Sequence, residues 1–242
     1  MRDDLLDAQA AIDWGELEIP QLAQKFVGWR YRNIGITYDD SSPDKTIALF
    51  RQGGPLPDIF NAGVGSIINS FRTALDLLAA VLATRNNKPV NEKIKFPNFP
   101  SHLEFSDPKN GIESIRWLSQ SEIDKFKCFQ QYNGAIDLLW ALHKLDIIRK
   151  HKRLLGVSVE PTQLIMVGEG GSPKILYSNS QPLRDKTPLF ELPIKAMSLD
   201  IDFNFQILFE EESLPRIHRQ PIFQLLGQFS ALTKEIVDLF DA

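Results

Sequence analysis

Between Asp58 and Arg85 the chain carries only two charged side chains, Arg72 and Asp76. Around them Phe71, Leu75, Leu78 and Leu82 recur at helical spacing on one side, and Ala74, Leu77 and Val81 fill the other. A helix that is apolar nearly all round has no face to give to water, so it belongs at the centre of a fold. The sequence predicts a buried central helix over about residues 60–84, with everything else arranged around it.

The flanking segments say what surrounds that helix. Residues 3–13 place Leu5, Leu6, Ala8 and Ile12 at helical spacing, and residues 20–28 continue with Leu22, Phe26 and Val27. The period then changes to two. Residues 31–38 and 46–50 read as strands joined across Asp39-Asp40-Ser41-Ser42-Pro43-Asp44, a hairpin. Gly53-Gly54-Pro55 breaks the chain before the central helix. Residues 86–111, around Phe96-Pro97-Asn98-Phe99-Pro100, read as an extended connector pinned by its aromatic rings. Helices are expected at about 112–126 and 134–153. Short strands at 164–167 and 175–177 flank a Gly168-Glu169-Gly170-Gly171 hairpin loop, and another strand lies at 189–192. The alternation of Ile201, Phe203, Phe205, Ile207 and Phe209 is the clearest strand, and Pro221 opens a closing amphipathic helix to Phe240. Helices, then strands, then one helix predict an α+β protein. A helical bundle layer would pack with an antiparallel sheet and a C-terminal amphipathic helix. Residues 1–242 read as one domain; the alternative is a soft boundary near 156, between a mainly helical part and a strand-rich one.

Charge and cysteine usage narrow the class. With 27 basic and 31 acidic side chains the net charge is -4, so the whole chain is no polybasic nucleic-acid binder. A lone cysteine, Cys128, allows no internal disulfide and points to a reducing, cytoplasmic setting. The acidic start is no secretory signal, and the longest unbroken apolar run, Leu77 to Ala83, is too short to span a membrane. A soluble protein without membrane attachment is expected. No Walker, Gly-x-Ser-x-Gly or His-Glu-x-x-His motif is present, and His102, His143, His151 and His218 are scattered. Neither a cofactor nor a metal is expected.

Three constellations could carry chemistry. Arg72 and Asp76, at i and i+4, share one helix face in ion-pair reach; they are either an internal pair that fixes packing or part of a site. On the 134–153 helix, His143 and Asp146 are spaced i,i+3 and Asp146 and Lys150 i,i+4, while His151 borders the apolar flank of Ile148 and Leu155. Histidine titrates near neutrality, which suits acid–base work, though it serves equally as a hydrogen-bonded structural residue. The third is the basic run Arg149, Lys150, His151, Lys152, Arg153. It could bind phosphate or a nucleic-acid backbone, or simply complement the helix dipole. The acidic Glu210-Glu211-Glu212 could be its partner, within the chain or in a dimer.

Gly65, then Arg72-Thr73-Ala74-Leu75-Asp76, then Phe96-Pro97, then Gln130-Gln131-Tyr132, then Lys150-His151-Lys152 stand in a particular order. Over about residues 60–155 this order resembles a family of uncharacterised bacterial proteins, whose central helix reads Gly-Asp-x-x-His-Asn-Leu-Arg-Ser-Ala-Leu-Asp-His-Leu and whose later helix ends Asn-Ile-Asp-Lys-His-Arg. The resemblance implies no assigned activity. Asn69, Ser70 and Leu77 replace the family's His, Asn and His, and Ile147 and Arg149 replace its Asn and Asp. Part of the polar cluster is therefore substituted, which implies weakened or absent catalysis if that cluster is catalytic. The family's Arg-x4-His spacing is also similar to the ribonuclease motif of HEPN-type helical domains, where both side chains meet a scissile phosphate. This chain has no Arg followed by His at that spacing, so a composite site would need Arg72 and His151 to meet from different helices.

The leading expectation is a non-catalytic binding or interaction module, bacterial or phage-derived. The competing one is a helical enzyme acting on a phosphate-containing substrate such as RNA. There Arg72 would bind the anion, Asp76 would orient it and His151 would act as acid or base, with Arg149, Lys150, Lys152 and Arg153 as anion-binding residues. A third is a homo-oligomer formed through exposed apolar residues of the closing helix.

Overall fold

The computed structural model describes residues 2–91, 94–98, 115–130, 135–167, 174–178, 184–193 and 200–241. The expectations for Phe99-Pro100, His102, Gln131-Tyr132, the 168–171 loop and the Cys128 thiol lie outside what is described.

The protein is α+β. After a 3-10 turn at Asp3–Leu5 come α1 (Leu6–Asn33) and a hairpin of β1 (Ile34–Asp39) and β2 (Lys45–Gln52). Then follow α2 (Asp58–Arg85), α3 (Gln120–Gln130) and α4 (Ala135–His151). The last part holds β3 (Val157–Val167), β4 (Lys174–Ser178), β5 (Pro188–Pro193), β6 (Asp200–Phe209) and α5 (Ile222–Leu239).

The charge-poor helix is where its composition requires it. On α2, Ile68, Phe71, Ala74, Leu75, Leu78 and Ala79 are fully buried. Burying one large side chain contributes about 1.5–3 kcal/mol, so this helix anchors the core. By length and composition α2 could cross a membrane, yet 56% of its most apolar window is already covered inside the protein. Neighbouring helices take up that part of its surface. The helix stops where Asn87 turns left-handed at φ 54. Lys88 N–H then donates to Ala83 C=O at 2.9 Å and Asn87 N–H to Thr84 C=O at 3.0 Å, a Schellman closure built on asparagine.

Two expected helices, 3–13 and 20–28, are one. α1 runs unbroken through Gly15 and Pro20 and takes in Tyr31, Arg32 and Asn33, which the sequence reading assigned to a strand. Pro20 lies on the exposed side, where water meets the carbonyl that loses its donor. Gly15 has a different reason: a Cβ there would stand 2.6 Å from the Phe71 ring. Gly15 against Phe71 and Gly63 against Leu22 show α1 and α2 running antiparallel in close contact.

Among the described residues the strands form two three-stranded antiparallel sheets, ordered β1-β2-β5 and β4-β3-β6. A single sheet was expected. Strand β3 begins at Val157 rather than 164, paired with β6 from Val157↔Phe209 to Val167↔Asp200. The register slips between Pro161 and Gln163, where proline has no N–H for the ladder. Phe205 of β6 bridges the sheets: its ring lies 6.5 Å from that of Phe50, and the Arg30 guanidinium sits 5.2 Å above it.

Candidate functional site

The spacing Gly65, Asn69, Arg72, Asp76 sets four residues on one face of α2. On α4, His143, Asp146 and Arg149 recur three apart. Arg149 donates to Asn69 Oδ1 at 2.7 Å, and its side chain crosses Gly65, where a Cβ would meet it at 2.7 Å. At the other end His143 lies within the electrostatic reach of Arg72 and Asp76. The helices are therefore antiparallel, and a polar seam runs between them through the apolar core.

Arg72 is 2% exposed. Its Nη2 meets Asp76 Oδ1 at 2.5 Å and its Nε meets Oδ2 at 3.3 Å. Nη2 also donates to the Phe96 carbonyl at 3.0 Å, and the Phe96 N–H donates to Asp76 Oδ1 at 3.0 Å. Asn98 Nδ2 adds a bond to the same carbonyl at 2.7 Å. The pair thus holds both polar groups of one residue in the connector. That residue's ring packs 5.2 Å from Phe126, which in turn lies 6.3 Å from Phe240. Two buried atoms of this cluster, Arg72 Nη1 and Asn98 Oδ1, have no hydrogen-bond partner among the described residues.

His143 is half-buried, with the Trp140 ring tilted against it at 5.8 Å between centroids. Burial first, then the charges of Arg72 and Lys144, push its pKa down to about 4, against a weaker opposing pull from Asp76 and Asp146. It is a neutral imidazole at physiological pH. The sequence reading placed the functional histidine at 151 instead. The structure brings Arg72 and Asp76 together but not His151, which is exposed and lies about 12 Å further along α4 than His143.

The basic helix end is mostly occupied. Lys150 pairs with the buried Asp146 at 2.6 Å, and Arg149 approaches the same carboxylate at 3.5 Å. Arg153 pairs at 2.7 Å with Glu211, itself 1% exposed, so one of the three acids at 210–212 is the intramolecular partner weighed from sequence. Nearby, Arg219 is held by Glu160 and Glu210, and Glu210 also accepts from the Ser158 hydroxyl. Lys152 and His151 stay exposed. Among the described residues no group of three His, Cys, Asp or Glu side chains is placed to hold a metal ion.

The exposed apolar surface lies elsewhere than expected. The closing helix α5 buries its apolar face, Leu225, Leu226, Phe229 and Ile236 included. On α1, by contrast, Leu6, Trp14, Leu17, Val27 and Tyr31 are 45–77% exposed. These positions share one side of the helix, opposite the buried Ala8, Ile12, Leu22 and Phe26. Sequence reasoning missed this face by breaking the helix at Gly15 and Pro20. The signal was there: the four-three spacing 6, 10, 13, 17, 20, 24, 27, 31 continues through both breakers.

Set against known proteins, the chain matches no family model, no curated sequence and no solved structure.

Proposed function

We propose that this chain is a non-catalytic interaction module that docks a protein partner on the outer face of α1. One observation carries the reading: five large apolar side chains left exposed along one side of a 28-residue helix. Single exposed apolar residues are ordinary, but five large ones gathered on one side of a single helix mark an interaction surface. The lone cysteine and the acidic net charge fit a reducing, cytoplasmic setting, and the resemblance to uncharacterised bacterial proteins fits a bacterial source.

The competing reading, an enzyme acting on a phosphate-containing substrate such as RNA, asks Arg72 to meet an anion. Arg72 already spends Nε and Nη2 on Asp76 and Phe96, and His151 stands apart from it. Replacing Trp14 with a photo-crosslinking phenylalanine analogue, in the cells that make the protein, tests the interaction reading. A specific adduct is expected from position 14 and none from the same analogue at exposed Gln228. Equal yields from both positions would overturn the reading, as would RNA turnover that disappears on His151→Ala.

A further inference from the structure

The outer face of α1 also indicates what covers it. Positions 6, 10, 13, 17, 20, 24, 27 and 31 alternate in steps of four and three, the 3.5-residue period of a coiled-coil seam. All eight are exposed. Their identities are Leu, Ala, Asp, Leu, Pro, Gln, Val and Tyr, so apolar residues lie at both ends and at the centre. The seam spans about four heptads, or about 40 Å of helix.

The row reads nearly the same from both ends. Pairing it with an antiparallel copy of itself sets Leu6 against Tyr31, Ala10 against Val27, Asp13 against Gln24 and Leu17 against Pro20. Three of these layers are apolar on both sides, and in the fourth an amide meets a carboxylate. A two-fold axis between Leu17 and Pro20 would generate every layer from one surface, as an isologous dimer requires.

Charge selects the orientation. From residue 3 to 18 the helix region carries Asp3, Asp7, Asp13, Glu16 and Glu18 and no basic residue, Asp4 being paired with Arg85 of its own chain. From 19 to 33 it carries Lys25, Arg30 and Arg32 and no acid. A parallel pair would stack acid on acid and base on base. An antiparallel pair lays the acidic half of each helix along the basic half of the other, with Asp7 beside Arg32 of the second copy and Trp14 beside Lys25 of the second copy.

We propose that the occupant of this face is a second copy of the chain, joined through α1 in an antiparallel helix pair. The proposal rests on the interaction reading above and names its partner.

Sedimentation of the full chain across a dilution series is the test. The expected mass at micromolar concentration is twice 27.5 kDa, falling to that value on dilution. Leu17→Asp should be monomeric and should melt where the diluted, monomeric parent chain melts, since the side chain is exposed in the free chain. Asp7→Lys should weaken association about tenfold by facing Arg32 of the second copy, and Asp7→Lys with Arg32→Glu should restore it. If the double exchange fails to restore association, the antiparallel arrangement falls. A mass of 27.5 kDa at every concentration, together with an adduct at position 14 to a different polypeptide, would overturn the second copy and leave the interaction face standing. Monomers with no adduct at position 14 would overturn both.

Discussion

Asp76 and Phe96 are 20 residues apart in sequence, yet the Phe96 amide donates to Asp76 Oδ1 at 3.0 Å, the oxygen that also receives Arg72 Nη2. The ion pair is therefore a staple on the connector as well as a bond within α2. Asp76→Ala removes the partner of a buried guanidinium and the acceptor of the Phe96 N–H together. The expected loss is about 3 kcal/mol, read from the urea midpoint at constant m. Asp76→Asn retains an acceptor and should lose less. An unchanged midpoint for the alanine variant would show that the staple contributes nothing.

His143 gives the fold a pH dependence of definite sign. Its folded pKa is about 4 and its ordinary value is 6.5, so between those values the unfolded chain binds the proton and the folded chain does not. Stability contributed by the neutral ring is complete above pH 6.5 and is lost as pH falls toward 4. The groups facing it are Arg72 and Asp76 from α2 and Lys144 and Asp146 from α4. Allowing for partial solvent access, the loss is about 2 kcal/mol. His143→Gln should flatten the stability curve over this window, measured by denaturation at successive pH values. A slope identical to that of the unaltered protein would remove His143 as its source.

Two glycines on α1 should respond oppositely to the same substitution. A Cβ at Gly15 would sit 2.6 Å from the buried Phe71 ring, whereas a Cβ at Gly28 meets nothing within 4 Å. Gly15→Ala should cost about 2 kcal/mol through overpacking, despite its gain in helix propensity. Gly28→Ala should gain about 0.5–1 kcal/mol. Melting temperatures of the two variants check both signs, and a stabilised Gly15→Ala would refute the close packing of α1 on α2.

Pairing at the basic helix end sets how many cations that end can offer to a phosphate backbone. Arg149, Lys150 and Arg153 are engaged by Asn69, Asp146 and Glu211, which leaves Lys152 as the cation of the run without such a partner among the described residues. Binding of a single-stranded RNA oligonucleotide, followed by anisotropy, should show a slope of log affinity on log salt near about -0.7, the release of one counterion. Lys152→Ala should abolish that slope. A slope several times steeper would show that the paired residues open to bind phosphate.

Local pattern made some of this legible and tertiary context decided the rest. The charge gap in α2 located the central helix within a residue or two, because burial all round leaves a direct mark on composition. Arg72 and Asp76 were legible as a pair for the same reason, since a charge in such a helix must be compensated. Their third partner was not, because Phe96 acts through its backbone, which every residue possesses. Tyr31, Arg32 and Asn33 read as strand by propensity but are helix, since packing of Phe26 and Trp29 carries α1 past them. His143 looked no more special than His151. Only the antiparallel docking of α2 and α4, a long-range event, sets one beside Arg72 and leaves the other in water.

The pairing of β2 with β5 has a consequence for how the protein is made. Lys45↔Pro193 and Ala48↔Phe190 belong to one ladder, so one edge of β2 stays bare until the strand at 188–193 has left the ribosome. Loop closure over so long a stretch is slow, and an uncovered edge in the meantime is a template for pairing with a neighbouring nascent chain. The hairpin at 34–52 therefore waits with one edge uncovered while about 130 further residues are made.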